Sequence, residues 1–262
     1  MPSPLTVETF GDPDGAPVLA VHGISGFGAR FGRTAALLPE RRWVCPDLRG
    51  HGSSPPLAPW ATEDHVGDLL AVLDYHGIDR ADLVGHSFGG HLAIHALAAG
   101  PDRWGKVVLL DPASVLDPAG VEPRALEYAR DPGWPTREEA TAEIDTWFPN
   151  EGSRPDFDLE VERNLVQDDE GTWRMGFSAA VVVAAYGEMS RPLPDLPTDH
   201  DVLLVEADPE HTTVNDALRA GLQEALGGRL RREVVPNATH VLFRTELEAT
   251  AAVLRDFLVT AG

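Results

Sequence analysis

A serine between two glycines is the residue whose surroundings most clearly indicate chemistry. It lies in Gly85-His86-Ser87-Phe88-Gly89, after a strand-like run at 81–84 and before an Ala- and Leu-rich run at 90–98 with a helical repeat. A serine hydroxyl is a poor nucleophile unless it is exposed, oriented and close to a base. A sharp strand-to-helix turn would expose it, and glycines permit the close backbone contacts of such a turn. We therefore predict that Ser87 is a nucleophile, with a plain helix N-cap as the alternative.

The partner that such a serine needs is a general base, and the chain contains ten histidines. His240 follows the last strand-like run and precedes the final helical segment. Because the ends of parallel strands gather at one edge of a sheet, a loop at this point can hold an imidazole over Ser87. We predict His240 as the base, with His200 and His211 as alternatives. His86 is a poor candidate, because its side chain should point away from that of the adjacent serine.

The elements that must position these residues follow from an alternation of apolar runs and helical segments, which is typical of a mostly parallel sheet covered on both faces. The candidate strands are Leu5–Phe10, Pro17–Val21, Trp43–Pro46, Ala81–Gly85, Lys106–Asp111, Val202–Ala207 and Leu230–Val235. The candidate helices are Arg30–Leu38, Thr62–His76, Gly89–Ala99, Val214–Leu226 and Glu246–Val259. We predict an α/β fold with a mostly parallel central sheet flanked by helices.

One segment, residues 112–200, departs from this alternation. It shows no clear strand, it is rich in Pro, Trp and acidic residues, and its helical stretches are Arg137–Trp147 and Ser178–Met189. A simple loop of this length is uncommon in a compact domain, so we predict an inserted helical lid between core segments 1–111 and 201–262. Its aromatic residues suit a small core of its own and a substrate pocket equally well: Trp134, Trp147, Phe148, Phe157, Trp173, Phe177 and Tyr186. Met175 and Met189 are interpreted as packing residues.

Composition restricts the possible partners. The 262 residues include 42 acidic and 21 basic side chains, a formal net charge of -21, which argues against nucleic acid or anionic membranes and disfavours strongly anionic substrates. Cys45 is alone, so an intramolecular disulfide and a cysteine-based zinc site are excluded. Because Met1–Leu5 lacks the features of a signal peptide and no apolar run reaches membrane-spanning length, we expect a cytoplasmic protein.

Four segments, in chain order, resemble the motifs of the α/β-hydrolase superfamily: His22-Gly23-Ile24-Ser25-Gly26, Asp47-Leu48-Arg49-Gly50-His51-Gly52-Ser53-Ser54, Gly85-His86-Ser87-Phe88-Gly89-Gly90 and Asn237-Ala238-Thr239-His240. The resemblance extends over nearly the whole chain and is weakest in the insertion. It implies an α/β-hydrolase fold with a lid over the C-terminal edge of the sheet. It also implies that the backbone N–H groups of Ile24 and Phe88 form an oxyanion hole. Asp47–Ser54 would be a structural turn whose charged residues pair with one another or with the backbone.

The acid of the implied triad has more than one candidate. Glu210 occupies the place most common in the family, but Ala207 replaces the glycine expected three residues earlier, and Asp208 is also near. Asp111 falls at a second place that some members use, at the end of the strand after the nucleophile helix. An ionisable side chain that ends an apolar run at this sheet edge can reach a loop histidine, although an aspartate before Pro112 can also simply cap a turn. We take Asp111 as the acid, then Glu210, then Asp208.

The resemblance implies a serine hydrolase that cleaves a carboxylic ester, lactone or thioester of a small, largely apolar molecule through an acyl-enzyme. The haloalkane dehalogenases and epoxide hydrolases of this fold are excluded, because they use an aspartate where this chain has Ser87. C–C bond or amide hydrolysis and cofactor-free perhydrolysis remain open with the same triad, as does a ligand receptor on the hydrolase scaffold. We expect no metal and no organic cofactor, and the oligomeric state is left open.

Overall fold

The computed structural model describes residues 5–130, 133–148 and 153–259. Its strands form a sheet of seven strands and a separate two-stranded hairpin. Met1–Pro4, which bear on the signal-peptide prediction, lie outside these ranges. The strands are β1 (Val7–Gly11), β2 (Ala16–Val21), β3 (Arg41–Pro46), β4 (Ala81–His86), β5 (Trp104–Leu110), β6 (Leu165–Gln167), β7 (Trp173–Met175), β8 (Val202–Glu206) and β9 (Leu230–Val234). The sheet order is β1-β3-β2-β4-β5-β8-β9, with β1 antiparallel to β3 and all other neighbours parallel. The prediction of a mostly parallel sheet is confirmed.

Helices cover both faces of this sheet. The α-helices of the described residues are α1 (Gly32–Leu37), α2 (Thr62–Tyr75), α3 (Phe88–Ala99), α4 (Pro118–Ala129), α5 (Arg137–Asp145), α6 (Arg154–Arg163), α7 (Ala179–Glu188), α8 (Asp216–Leu226), α9 (Leu242–Thr245) and α10 (Leu247–Val259). α1 and α10 pack on one face, and α2, α3 and α8 pack on the other. Among the described residues, none of these helices combines the length and the apolar character that a bilayer crossing requires.

The central strands are apolar on both sides because both faces are covered. In β2, Val18 and Ala20 belong to the core cluster of α1 and α10, whereas Leu19 and Val21 belong to the cluster of α2 and α3. All four side chains are fully enclosed. Successive side chains of a strand point to opposite faces, so a strand between two helical layers is a continuous apolar run. This is why the parallel strands could be recognised in the sequence.

Residues 112–200 contain α4 to α7 and the antiparallel hairpin of β6 and β7. The prediction that this segment has no strand was wrong, because strands of three residues are too short to show an alternating pattern. Phe148 and Phe157 pack in a small core of this segment, whereas α7 packs into the main core cluster. The division of the chain into a core and a lid domain stays a prediction.

The turn Asp47–Ser54, which follows β3, is held largely by its first side chain. The carboxylate of Asp47 accepts hydrogen bonds from the N–H of Gly28 at 2.7 Å and of Ser53 at 2.9 Å. Arg49 pairs outside the turn, with Asp68 on α2 at 2.7 Å. Arg49 also donates to the backbone oxygens of Leu57 and Asp64, both at 3.2 Å, so both charged residues pair with backbone as expected, and Arg49 does so outside the turn.

Histidines are unusually well buried in this fold. Within the described residues, those that are buried with a lowered pKa are His22, His51, His65, His86 and His91. Burial is the largest cause for each, and it lowers the pKa to about 4 for His51 and to about 3 for His65 and His86. His65 on α2 packs edge-on against Phe88, with ring centroids 5.3 Å apart, and neither ring nitrogen has a hydrogen-bond partner. These imidazoles are neutral in the folded protein.

The free energy of unfolding should therefore fall when the pH is lowered from about 7.5 to about 5.5. Below the unfolded-state pKa of about 6.5, the unfolded chain binds protons that the folded chain excludes. Each buried histidine then contributes up to about 1.4 kcal/mol of lost stability per pH unit. The raised pKa values of Asp47 and Asp156 act in the opposite direction, but fewer groups are involved. Urea unfolding at the two pH values measures the net effect.

His65→Leu removes one of these histidines without leaving a large cavity. Over this pH range, the free energy of unfolding of the variant should therefore fall by about 1 kcal/mol less than that of the wild type. The matched control is His211→Gln, because His211 is exposed. If the free energy of unfolding depended equally on pH in the two variants, the role of the buried neutral histidines would be contradicted.

Candidate active site

Ser87 lies in a sharp turn between β4 and α3. Its φ of 55° and ψ of -118° lie outside the regions that most non-glycine residues adopt, so the surrounding backbone must hold this conformation. The flanking glycines are required by space: a Cβ on Gly85 would lie 2.2 Å from the carbonyl oxygen of Gly89, and a Cβ on Gly89 would lie 2.1 Å from that of Val21. Ser87 occupies the N-cap position of α3, but its hydroxyl makes no capping hydrogen bond.

The hydroxyl of Ser87 instead faces an imidazole. Its Oγ lies 2.9 Å from Nε2 of His240, and Nδ1 of His240 lies 2.6 Å from Oδ2 of Asp111. An ionised carboxylate only accepts, so Nδ1 carries the hydrogen and Nε2 is left to accept from the serine. Asp111 is fully buried, whereas the side chain of His240 is 33% exposed. The three predicted residues form one continuous hydrogen-bonded chain, in which the partly exposed imidazole lies between the hydroxyl and the buried carboxylate.

The carboxylate of Asp111, directly after β5, is satisfied on all sides. It accepts from the backbone N–H of Ala207 at 3.0 Å and of Thr213 at 2.9 Å, and from the hydroxyls of Thr212 at 2.5 Å and Thr213 at 3.0 Å. Burial would raise the pKa of Asp111, but the hydrogen bond and charge of His240, together with these donors, lower it to about 2. Asp111 is therefore ionised at neutral pH.

The other acid candidates lie away from the imidazole. Glu210 is exposed. The carboxylate of Asp208 accepts from the N–H groups of Glu210 and Asn237, both at 3.2 Å, and so stabilises the loop after β8. Within the described residues, Asp111 is the carboxylate that contacts His240.

The remaining histidines are also placed elsewhere. His200 precedes β8 at the opposite edge of the sheet, where Nε2 donates to the carbonyl oxygen of Pro101 at 3.0 Å. His211 is exposed. His86 donates from Nε2 to the backbone oxygen of His240 at 2.8 Å, with the two ring centroids 4.8 Å apart. His86 thus supports the loop of His240 and does not face the serine hydroxyl.

The loop after β2 passes beside the serine. A Cβ on Gly23 would lie 2.8 Å from Cβ of Ser87, so only a glycine allows this approach. His22 holds the loop: its Nε2 accepts from the N–H of Leu48 at 2.9 Å, and its Nδ1 lies 2.7 Å from the carbonyl oxygen of Gly23. Since Nε2 is an acceptor, Nδ1 must carry the hydrogen of this neutral ring. His22 therefore fixes the loop that carries Ile24.

Two backbone donors remain at this place. Phe88 is the first residue of α3, where an N–H has no partner in the helix and the helix end is positive. Neither this N–H nor that of Ile24 donates to an acceptor in the described part of the chain. Ile24 and Ser87 line the same cavity. The arrangement can receive an oxygen that becomes negative beside Ser87.

A buried polar cluster that the sequence analysis missed holds the same loop from outside. Ser25 has a φ of 58°, and its carbonyl oxygen accepts from Arg30 at 3.0 Å and from Asn164 at 3.2 Å. Glu160 on α6 accepts from Arg30 at 2.5 Å and 3.1 Å and from Asn164 at 2.7 Å. No sequence pattern could reveal this cluster, because the segment of Ser25 and Arg30 is more than a hundred residues from that of Glu160 and Asn164.

The serine and histidine open into a cavity of about 1110 Å³. Its apolar wall includes Leu116, Val121, Tyr128, Trp134, Phe177 and Tyr186. Some of the predicted aromatic residues therefore line this cavity, while Phe148 and Phe157 pack in the small core of the segment; that the cavity holds a substrate stays a prediction. Met175 and Met189 line the cavity besides being buried, which their interpretation as packing residues alone did not include. Among the described residues, no group of three or more His, Cys, Asp or Glu side chains is arranged to hold a metal ion.

Comparison with known proteins gives consistent matches. A sequence profile described as the alpha/beta hydrolase family matches residues 18–253. Lipase LipV of Mycobacterium tuberculosis is 34% identical over 258 residues, covering 97% of each chain. The 2-succinyl-6-hydroxy-2,4-cyclohexadiene-1-carboxylate synthase of Serratia proteamaculans is 27% identical over 259 residues, covering 96% of each. The crystal structure of E-2-(acetamidomethylene)succinate hydrolase, 22% identical, has the same fold with a TM-score of 0.84, covering 98% of this chain and 95% of that one.

Gly89→Ala should destabilise the protein by about 3 kcal/mol or more, because the new Cβ would collide with the backbone oxygen of Val21. Neither the start of α3 nor the end of β2 can move freely to relieve this collision. The matched control is Gly67→Ala on α2, where an added Cβ meets nothing within 4 Å. That change should stabilise by about 0.5–1 kcal/mol through helix propensity. Thermal unfolding measures both, and a Gly89→Ala variant as stable as the wild type would contradict the packing of this turn against β2.

Proposed function

The chain belongs to the α/β-hydrolase family, and on that basis we propose that it is a serine hydrolase that cleaves a carboxylic ester, lactone or thioester through an acyl-enzyme. The observation that carries the proposal is the hydrogen-bonded chain from Ser87 through His240 to Asp111, which opens into the cavity. A nucleophile, a base and a buried ionised acid in this order form the arrangement that activates a serine hydroxyl. The cavity wall beside it suits a small, largely apolar substrate.

In the first half of the reaction, Oγ of Ser87 attacks the carbonyl carbon of the ester while Nε2 of His240 takes its proton. The ionised carboxylate of Asp111 stabilises the imidazolium and keeps the ring oriented. The N–H groups of Ile24 and Phe88 donate to the oxygen that becomes negative. When the tetrahedral intermediate collapses, the alcohol leaves with the proton from Nε2, and the acyl group stays on the serine.

In the second half, a water molecule takes the place of the alcohol. Nε2 of His240 takes a proton from this water as its oxygen attacks the acyl carbon. The same two N–H groups stabilise the second tetrahedral intermediate. Its collapse returns the proton to Oγ of Ser87 and releases the carboxylic acid. Every proton in this cycle passes through Nε2 of His240, whose partner Nδ1 stays bonded to Asp111.

Other chemistry is compatible with the same residues. C–C bond or amide hydrolysis and cofactor-free perhydrolysis require the same nucleophile and base, and the relative from Serratia bears the name of a synthase. Family membership therefore does not decide the bond that is broken. Esters come first because they are the least demanding acyl donors. A ligand receptor would use the cavity without turnover.

Ser87→Ala should lower the hydrolysis of p-nitrophenyl acetate and butyrate by about 10⁴-fold or more, because the attacking oxygen is removed. The measurement is the release of nitrophenol, with circular dichroism to show that the variant is folded. The control is Ser53→Ala, an exposed serine on the turn after β3, which should keep wild-type activity. No Ser87-dependent release of nitrophenol, across several acyl lengths, would overturn the proposal of a serine hydrolase and favour a receptor.

Asp111→Asn should lower kcat by about 10⁴-fold, because an amide cannot stabilise the imidazolium and favours the wrong tautomer. Glu210→Gln is the matched control and should stay near wild type, since Glu210 is exposed and does not contact His240. The pKa of Asp111, about 2, keeps it ionised at and above a pH of about 4. Titration of Asp111 should therefore not appear in the pH–rate profile above that value. Loss of activity in the glutamine variant alone would overturn the assignment.

A further inference from the structure

In one part of the active-site cavity wall, two arginines, Arg30 and Arg244, lie beside a single carboxylate, that of Glu160, although the chain as a whole carries a net charge of -21. Where α6, α9 and the loop before α1 meet, Arg30 and Arg244 share one carboxylate, that of Glu160. The side chain of Glu160 is 2% exposed, and those of the two arginines are 14% and 13% exposed. The next carboxylate, Asp156, is paired with Arg33. One positive charge in this group is therefore not neutralised.

The two arginines are bound very differently. Arg30 donates to both oxygens of Glu160, at 2.5 Å and 3.1 Å, and also to the carbonyl oxygen of Ser25. Arg244 reaches Glu160 at 3.5 Å, the outer limit of a hydrogen bond, and its guanidinium lies over the ring of Phe148 at 4.3 Å. Within the described residues, its side chain makes no other hydrogen bond. Most of the five N–H donors of Arg244 are thus available to a ligand.

The energetics favour an anion next to Arg244. Burial, followed by the charge of Arg30, lowers the pKa of Arg244 to about 10, so it is protonated at neutral pH but in an unfavourable setting. A buried charge without a close partner is costly, and an anion that pairs with it removes that cost. The many acidic residues of the outer surface are solvated and screened by salt, so they weaken the attraction between Arg244 and an anion only slightly.

Arg244 is also well placed relative to the reacting atoms. It lies on α9, four residues after His240, and it lines the same cavity as Ser87. A second cavity of about 540 Å³ shares Trp147, Val241 and Arg244 with the first. A molecule whose carbonyl carbon lies at Ser87 can therefore extend past His240 and place a charged end at the junction of the two cavities.

We propose that Arg244 binds a carboxylate of the substrate, so that the preferred esters of this enzyme carry a carboxylate group in addition to the ester bond. The planar fork of a guanidinium matches the two oxygens of a carboxylate. The inference rests on the proposed ester hydrolysis. It changes the expected substrate from a largely apolar ester to one with an apolar body, which packs on the aromatic wall, and an anionic end.

The test compares esters that differ only in this charge. With the carboxylate on the alcohol part, the pair is 4-acetoxybenzoate and 4-acetoxybenzamide; with it on the acyl part, the pair is monophenyl glutarate and phenyl glutaramate. Wild type should show at least a tenfold higher kcat/KM for the anionic member of at least one pair. Arg244→Gln should reduce this preference at least tenfold, mainly through KM, and Arg244→Lys should restore it in part.

The matched control is Arg124→Gln, which removes the same charge from an exposed arginine of α4 at the rim of the same cavity. It should change the preference by less than about twofold, because an exposed charge is screened. No preference in either pair, or an equal loss in both glutamine variants, would overturn the proposal. Arg244→Lys keeps the positive charge, so the proposal can still be tested if Arg244→Gln does not fold.

Binding without turnover separates this inference from the proposed function. Calorimetry with the anionic member of each pair, 4-acetoxybenzoate and monophenyl glutarate, on Ser87→Ala, compared with Ser87→Ala that also carries Arg244→Lys, measures the subsite with the nucleophile absent. Severalfold weaker binding in the second protein supports the subsite even if no ester is hydrolysed. Equal binding in the two proteins overturns the subsite even if esters are hydrolysed.

Discussion

A buried carboxylate must be satisfied by hydrogen bonds, and in this protein that requirement connects the catalytic residues to the sheet order. Asp111 follows β5, its backbone and hydroxyl donors follow β8, and its partner His240 follows β9. These three strands are neighbours and parallel, so their carboxyl ends meet at one edge. Burial raises the pKa of Asp111, whereas the hydrogen bond and charge of His240, together with these donors, lower it, so the carboxylate is ionised and can stabilise an imidazolium. The sheet thus supplies both the ionised acid and the orientation of the base.

The other side of the nucleophile depends on equally close packing. β2 and β4 are neighbours, and their carboxyl ends place the loop of Gly23 directly against Ser87. His22 holds this loop from within, and the cluster of Arg30, Glu160 and Asn164 holds it from the inserted segment. The inserted segment therefore helps to fix the backbone beside the nucleophile while it also walls the cavity. The single carboxylate of this cluster is what leaves Arg244 short of a counter-ion.

Much of the site could be predicted, but two of its residues were predicted singly, whereas the carboxylate was one of three candidates. Ser87 and His240 were found because a short motif and the end of the last strand are local properties of the chain. The choice among Asp111, Glu210 and Asp208 remained open, since all three lie near strand ends and their distances to the imidazole depend on how loops turn. The structure brings Asp111 to His240, because the loop after β8 directs its backbone donors inward while Glu210 stays exposed. The β6–β7 hairpin escaped prediction for a related reason: three residues carry too little pattern.

The sequence by itself determined the class of fold and the glycine-flanked turn that carries Ser87. Continuous apolar runs that alternate with helical segments are typical of buried parallel strands, and the turn at Ser87 requires glycine at positions 85 and 89, because a Cβ there would collide with the backbone. Tertiary structure alone decided which carboxylate contacts His240 and which charged side chains meet at the cavity wall. Contacts such as Arg30 with Glu160 join residues that are 130 positions apart. The strength of such contacts depends on burial and distance, which exist only once the chain has folded.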